Sequence, residues 1–132
     1  MKKTLTNFKM DEMRRQLQPL LSYRDKIGYL AARNYRKLMD ALTEYDTFRD
    51  ALIAKYGEPD RDESGAELPT VSLNIRSPQF QEFRDELTPF GRIEHEVELM
   101  MGQYKDAIGT LTGEEILRID WMLDDQEGGT DG

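Results

Sequence analysis

Apolar residues recur at helical spacing through the first half of the chain and alternate with polar ones in two short stretches of the second half. Met10, Met13, Leu17 and then Leu20 and Leu21 make one stripe, which predicts a short helix over about 9–18. Pro19 lacks a backbone donor and clashes with the preceding turn, so it ends or kinks that helix. Ser22-Tyr23-Arg24-Asp25 has the spacing of a capping box and predicts a new start. From there Ile27, Ala31, Tyr35, Leu38, Leu42, Tyr45, Leu52 and Tyr56 form a near-heptad seam, with Phe48 beside the gap at Arg49. Lys55 suits the negative end of a helix, Gly57 can take the left-handed conformation that terminates one, and Pro59 prevents resumption. The pattern predicts one long amphipathic helix over about 22–56, paired with the short first helix in a helical hairpin.

Such a helix spans roughly 50 Å at the usual rise per residue. A compact chain of this length has a diameter of roughly 35–40 Å. The seam is therefore expected to need company, from later elements or from a partner chain.

Residues 58–69 are polar and acidic and read as a mobile loop. Residues 70–76 then alternate, with Val71, Leu73 and Ile75 on one face, which predicts a half-buried strand. Ser77-Pro78 opens a helix over about 78–88 that carries Phe80, Phe83 and Leu87 inward and stops near Thr88-Pro89. Residues 92–99 alternate again, with Ile93, Val97 and Leu99 inward. Thr112-Gly113-Glu114-Glu115 is a full capping box for a last helix bearing Ile116, Ile119, Trp121, Met122 and Leu123. The Gly-rich polar stretch 126–132 reads as a disordered tail. The expected fold is α+β and helix-dominated, one domain over 1–125. The strands at about 70–76 and 92–99, joined by the helix, are expected to form a small two-stranded sheet, antiparallel by preference.

Composition refines this picture at four points. With 132 residues, 38% of them apolar, the chain suits a single small core. No apolar run approaches the roughly 18 residues of a membrane span, and no signal-peptide segment follows the basic start, so a cytoplasmic protein is expected. Cysteine is absent, which excludes disulfides, thiolate zinc sites and thiol nucleophiles. The net charge of −8 is unevenly placed: residues 1–37 hold ten Lys/Arg against Asp11, Glu12 and Asp25, and the acidic excess lies in the remainder. Such polarity attracts nucleic acid at one end, or the acidic half of the same chain or of a neighbouring copy.

Candidate chemistry is sparse. Glu94, Glu96 and Glu98 line one strand face, a row that could hold a divalent cation or do acid–base work. His95, the only histidine, falls on the opposite face, and a charged strand face is also an ordinary solvated surface that deters edge pairing. Asp60-Arg61-Asp62-Glu63-Ser64-Gly65 begins like a calcium loop but fails it, since Val71 stands where the twelfth-position glutamate belongs. Arg24, Lys26, Arg33, Arg36 and Lys37 lie off the apolar seam with Tyr23, Tyr29 and Tyr35 between them, a combination that can hold a phosphate backbone and stack bases.

The run Ala31-Ala32-Arg33-Asn34-Tyr35-Arg36-Lys37-Leu38, then Arg49, then Lys55-Tyr56-Gly57-Glu58 and an acidic turn ending in Gly65, resembles a family of small uncharacterised proteins of tailed phages and prophages, of the siphophage type. The likeness extends over most of the chain and departs in the loop 61–69. It implies a phage or prophage origin and a role near virion morphogenesis. The family has no assigned activity, so no site residue is carried over.

The expectation from sequence is a non-enzymatic interaction or assembly protein, without cofactor or metal and with no small-molecule substrate. Its partner seam is Ile27, Ala31, Tyr35, Leu38, Leu42, Tyr45 and Leu52, and its partner is a second copy or another phage protein. It is placed in the host cytoplasm, with incorporation into a virion as a further fate. The alternative is a nucleic-acid-binding protein using Arg24, Lys26, Arg33, Arg36 and Lys37.

Overall fold

Thr6 marks the first change of local structure. Its hydroxyl accepts from the Lys9 amide at 3.0 Å, so that β1 (Lys2–Thr6) passes directly into α1 (Asn7–Leu17). Pro19 then enters a 3-10 turn over Gln18–Ser22, where its missing donor costs nothing. Ser22 is not the helix cap. Asp25 is: its carboxylate accepts from the Gly28 amide at 3.1 Å and opens α2 (Lys26–Ala41).

The computed structural model, which describes residues 1–124, does not carry α2 through to Tyr56. Leu42 leaves the helical region (φ −93, ψ 4), its amide reaching the Leu38 carbonyl at 2.9 Å, and α3 (Thr43–Tyr56) starts afresh. Glu44 and Asp46 lie in the first turn of α3, where the helix dipole favours negative charge. The expected single helix over 22–56 is thus two helices of 16 and 14 residues, each no more than about 24 Å long.

The acidic segment after Gly57 is ordered. Glu58–Arg61 (β2) pairs antiparallel with Glu67–Ser72 (β3), in a hairpin with Glu58 opposite Ser72 and Arg61 opposite Glu67. Asp62 builds the turn, accepting from the Ser64 amide and hydroxyl and from the Ala66 amide, while Gly65 supplies the positive φ of 87°. The strand expected at 70–76 therefore starts earlier and pairs with the supposed loop. β3 is exposed along its whole length, and Ile75, expected to face inward, is 74% exposed.

The helix α4 (Phe80–Gly91) runs past Pro89. The Phe90 ring lies 3.7 Å from that of Phe48 on α3, centroid to centroid, which holds this last turn in place despite the lost donor. The next strand, β4 (Glu94–Glu98), pairs with β1 and not with 70–76: Leu5 stands opposite His95, Lys3 opposite Val97 and Lys2 opposite Glu98. Val97 and Leu99 are buried as expected, but Ile93 is exposed. After it come β5 (Gly102–Gln103), α5 (Tyr104–Ala107), α6 (Gly113–Ile119), a 3-10 turn over Asp120–Met122, and β6 (Leu123–Asp124), which pairs parallel with β5. The expected tail at 126–132 lies outside the described residues. The result is a helix-dominated α+β fold.

Within the span expected as one domain, 1–125, the chain forms two compact units. The first comprises Met1–Leu42 and the stretch from Glu94 onward. Its core is Met10, Met13 and Leu17 of α1, Ile27, Leu30, Ala31 and Leu38 of α2, Val97 and Leu99, and Ile119 and Met122. The second, Thr43–Ile93, packs α3 against α4 and β3 around Tyr45, Leu52, Phe83 and Leu87.

The capping box of α6 forms as its spacing predicts. Glu115 donates its amide to the Thr112 hydroxyl at 3.1 Å and accepts the Thr112 amide at 2.9 Å. The second carboxylate oxygen of Glu115 accepts from the Tyr23 hydroxyl at 2.6 Å, tying the cap of α6 to the approach of α2. The Tyr23 hydroxyl, with help from the Thr112 amide, holds the Glu115 carboxyl below its ordinary range. A carboxyl lowered by folding stabilises the native chain above the ordinary glutamate pKa and loses that contribution as pH falls through the lowered value. Tyr23→Phe is accordingly expected to melt at a lower temperature than the wild type at pH 7. The gap should close on acidification, as read by thermal scans across pH 2–7.

Candidate functional site

The sequence placed a partner seam on one face of the first helices and a cationic set on the other. The structure separates them cleanly. Ile27, Ala31, Leu38 and Leu42 are 0% exposed, Tyr45 and Leu52 are buried, and Tyr35 is half-buried. Within the first unit, α2 packs its seam against α1, the Gln18–Ser22 turn, β4 and α5. The seam is the chain's own core and offers no surface to a partner.

Asn34, which sequence reasoning passed over, belongs to that core. It sits on the buried stripe between Ala31 and Leu38 and is 0% exposed. Its side-chain amide donates to the Met100 carbonyl at 2.9 Å, and its oxygen accepts from the Met100 amide at 2.8 Å. The same amide nitrogen lies 3.4 Å from the Met122 sulfur. One side chain thus satisfies both backbone groups of a residue just beyond β4 and fixes that segment to α2. The visible signal was a polar residue at a stripe position.

The opposite face of α2 is open. Tyr29, Ala32, Arg33, Arg36 and Lys37 recur at spacings of three and four, so they share one side of the helix. They line a groove of about 440 Å³ whose floor is mostly apolar: the Tyr29 ring, 59% exposed, the Ala32 methyl and the stems of the cations. Arg33 and Arg36 are exposed and Lys37 is half-buried. Among the described residues, none of Arg24, Arg33, Arg36 and Lys37 forms an ion pair. Like charges three and four residues apart on a helix disfavour it by a few tenths of a kcal/mol per pair. Lys37 does act electrostatically on Glu98 of β4, where it helps to lower that carboxyl after the N-terminal ammonium and Lys2.

The rest of the expected set is dispersed. Lys26 is held 3.4 Å from Asp106, whose carboxylate accepts the Gln103 amide in the capping box of α5. Arg24 lies in the extended approach to α2 and does not line the groove. Tyr23 is committed to Glu115, and Tyr35 is half-buried. Three of the five cations and one of the three tyrosines come together.

Other titratable groups offer little chemistry. Glu94, Glu96 and Glu98 are exposed opposite Thr6, Thr4 and Lys2. In the second unit, Lys55 lies 3.2 Å from Glu86 and 5.0 Å above the Tyr56 ring. The Glu86 carboxylate, together with Tyr56, raises the Lys55 ammonium, while Tyr56 and Lys55 lower the Glu86 carboxyl. Both shifts move away from neutrality, opposite to what a general acid or base needs. A polar cleft of about 390 Å³ lies between Tyr56, Asp60, Ser72 and Asn74, but the Asp60 carboxylate already accepts from Thr70 at 2.6 Å. Among the described residues no group of three or more His, Asp or Glu side chains is placed to hold a metal ion, and no helix is long and apolar enough to cross a membrane.

The chain matches no protein-family model, no curated protein and no solved structure.

Proposed function

We propose that this is a non-enzymatic interaction protein, of the kind implied by the resemblance to small phage proteins, acting in the host cytoplasm through the outer face of α2 on an anionic partner. One observation carries the reading: three cations, none in an ion pair among the described residues, surround an apolar groove on the outer face of the helix. Docking through the seam, as the stripe pattern implied, loses its surface to the core. The contact moves to the other side of the same helix.

The test uses polyglutamate as a generic anionic polymer. Binding at low salt is expected to weaken as salt rises, and Arg33→Glu with Arg36→Glu should reduce it at least tenfold. Both positions are exposed, so the melting temperature should change little. No binding by the wild type, or equal binding by the variant, would contradict the proposal.

Exposed Tyr29 among the cations favours a second reading, single-stranded nucleic acid. Three phosphate contacts predict that log K falls with log salt at a slope of roughly −2. Tyr29→Ala should then weaken an oligonucleotide more than it weakens polyglutamate, because only the bases stack.

A further inference from the structure

The groove on α2 has a complement in the chain itself. The β2–β3 hairpin, residues 58–72, carries Glu58, Asp60, Asp62, Glu63 and Glu67 against a single cation, Arg61. That arginine is spent within the hairpin, on Glu67 at 3.3 Å and on the Gly65 carbonyl at 2.9 Å. Hydrogen bonds from Thr70 and Ser72 to Asp60, and from Ser64 and Ala66 to Asp62, hold both carboxyls below their ordinary range. Asp60 and Asp62 thus keep their charge to lower pH than free aspartates.

Its surface also matches in kind. Leu68, about 40% exposed on β3, offers an apolar group beside the carboxylates, as Tyr29 and Ala32 do among the cations of the groove. Asp62 fixes the turn through three hydrogen bonds, so the hairpin is presented already shaped, which lowers the entropic cost of docking. Pro59 and Pro69 remove backbone donors from this two-stranded ladder. A face contact is therefore favoured over strand addition at an edge.

We propose that the groove of α2 receives the acidic β2–β3 hairpin of a second copy of this chain. The inference rests on the reading of α2 as the contact face and names its partner. A groove-to-hairpin contact joins two different surfaces: copies that exchange it reciprocally close a two-fold dimer, and copies that pass it on form rings or filaments. Because the attraction is largely electrostatic and exposed, it fades once the screening length falls to a few Å.

The experiment is sedimentation of the full chain at about 0.02 M and about 0.5 M salt, on either side of strong screening. Two variants remove the charge of one partner each: Arg33→Glu with Arg36→Glu, which overturns the sign of the groove, and Glu58→Lys with Glu63→Lys, which cancels the net charge of the hairpin. All four positions are exposed, and circular dichroism verifies that the fold is kept. The expected result is concentration-dependent growth of the wild type at low salt, reversed at high salt. Either variant alone should stay monomeric, and an equimolar mixture should associate again, since the unaltered groove of one variant meets the unaltered hairpin of the other. A wild type that stays monomeric at low salt overturns the inference, as does a hairpin variant that associates as the wild type does, or a mixture that fails to recover. If the wild type binds polyglutamate or an oligonucleotide yet remains monomeric, the partner assignment falls while the α2 face stands. If it binds neither, the underlying reading fails first.

Discussion

Asn34→Leu is expected to destabilise the chain by about 3 kcal/mol, although leucine fills nearly the same volume. The cost comes from what asparagine leaves behind. The amide and carbonyl of Met100, now matched at 2.8 and 2.9 Å, lose both partners in a site with 0% exposure of the side chain that served them. Each buried unsatisfied group costs about 1–3 kcal/mol. A melting temperature lower by about 10 °C is the corresponding shift for a chain of this size. Asn34→Asp separates hydrogen bonding from packing. An ionised carboxylate can still accept from the Met100 amide but repels its carbonyl, whereas the protonated acid can donate to it. Burial raises the pKa of that new carboxyl, so its penalty is full above the raised value and shrinks as pH falls towards the unfolded one. Thermal unfolding of Asn34→Asp should improve relative to Asn34→Leu on acidification. If both variants melt within about 2 °C of the wild type, the clamp is not a structural element.

Gly28→Ala is expected to destabilise by about 3 kcal/mol, against the usual rule that alanine improves a helix. A methyl at this position would collide with the Tyr23 carbonyl oxygen and lie 2.7 Å from its carbon. Those are backbone atoms, and the segment Tyr23–Asp25 must move to make room. Moving it endangers the 3.1 Å cap from Asp25 to the Gly28 amide and the 2.6 Å bond from Tyr23 to Glu115. Overpacking costs about 1–3 kcal/mol and loss of a cap about 1 kcal/mol. Gly113 is the natural control. Nothing stands within 4 Å of the place a methyl would take there, the residue opens α6, and its φ is not in the left-handed region. Gly113→Ala should stabilise by roughly 0.5 kcal/mol through the unfolded chain. Opposite signs at the two glycines, read by urea unfolding, check the packing of the α2 approach.

Local signals in the sequence were reliable where a single side chain decides. Thr112 and Glu115 cap α6 as their spacing requires, Pro19 ends α1, and the alternation of Val97 and Leu99 points inward. The break at Leu42 was invisible because one residue outside helical geometry leaves the stripe in phase: Leu38, Leu42 and Tyr45 are buried on both sides of it. Thr43-Glu44-Tyr45-Asp46 was the available clue, a second acidic helix start inside the first pattern. β1 could not be read because Lys2-Lys3-Thr4-Leu5-Thr6 has one apolar residue, and its stability comes from pairing with β4, more than 85 residues later. The hairpin was hidden by acidity, since Asp62 and Gly65 make the turn while β3 buries nothing. For the candidate site, composition located the cations, but only the fold distinguished Arg33, Arg36 and Lys37 from Lys26, which is consumed by Asp106.

Those three cations carry the functional account, and the most direct measurement maps where an anionic polymer touches the chain. Isotope-labelled protein titrated with polyglutamate at low salt should show amide shifts concentrated on Tyr29–Lys37, leaving the buried stripe of Ile27, Leu38 and Met122 unmoved. Shifts confined to other surfaces, or none at any ratio, would contradict a contact face on α2.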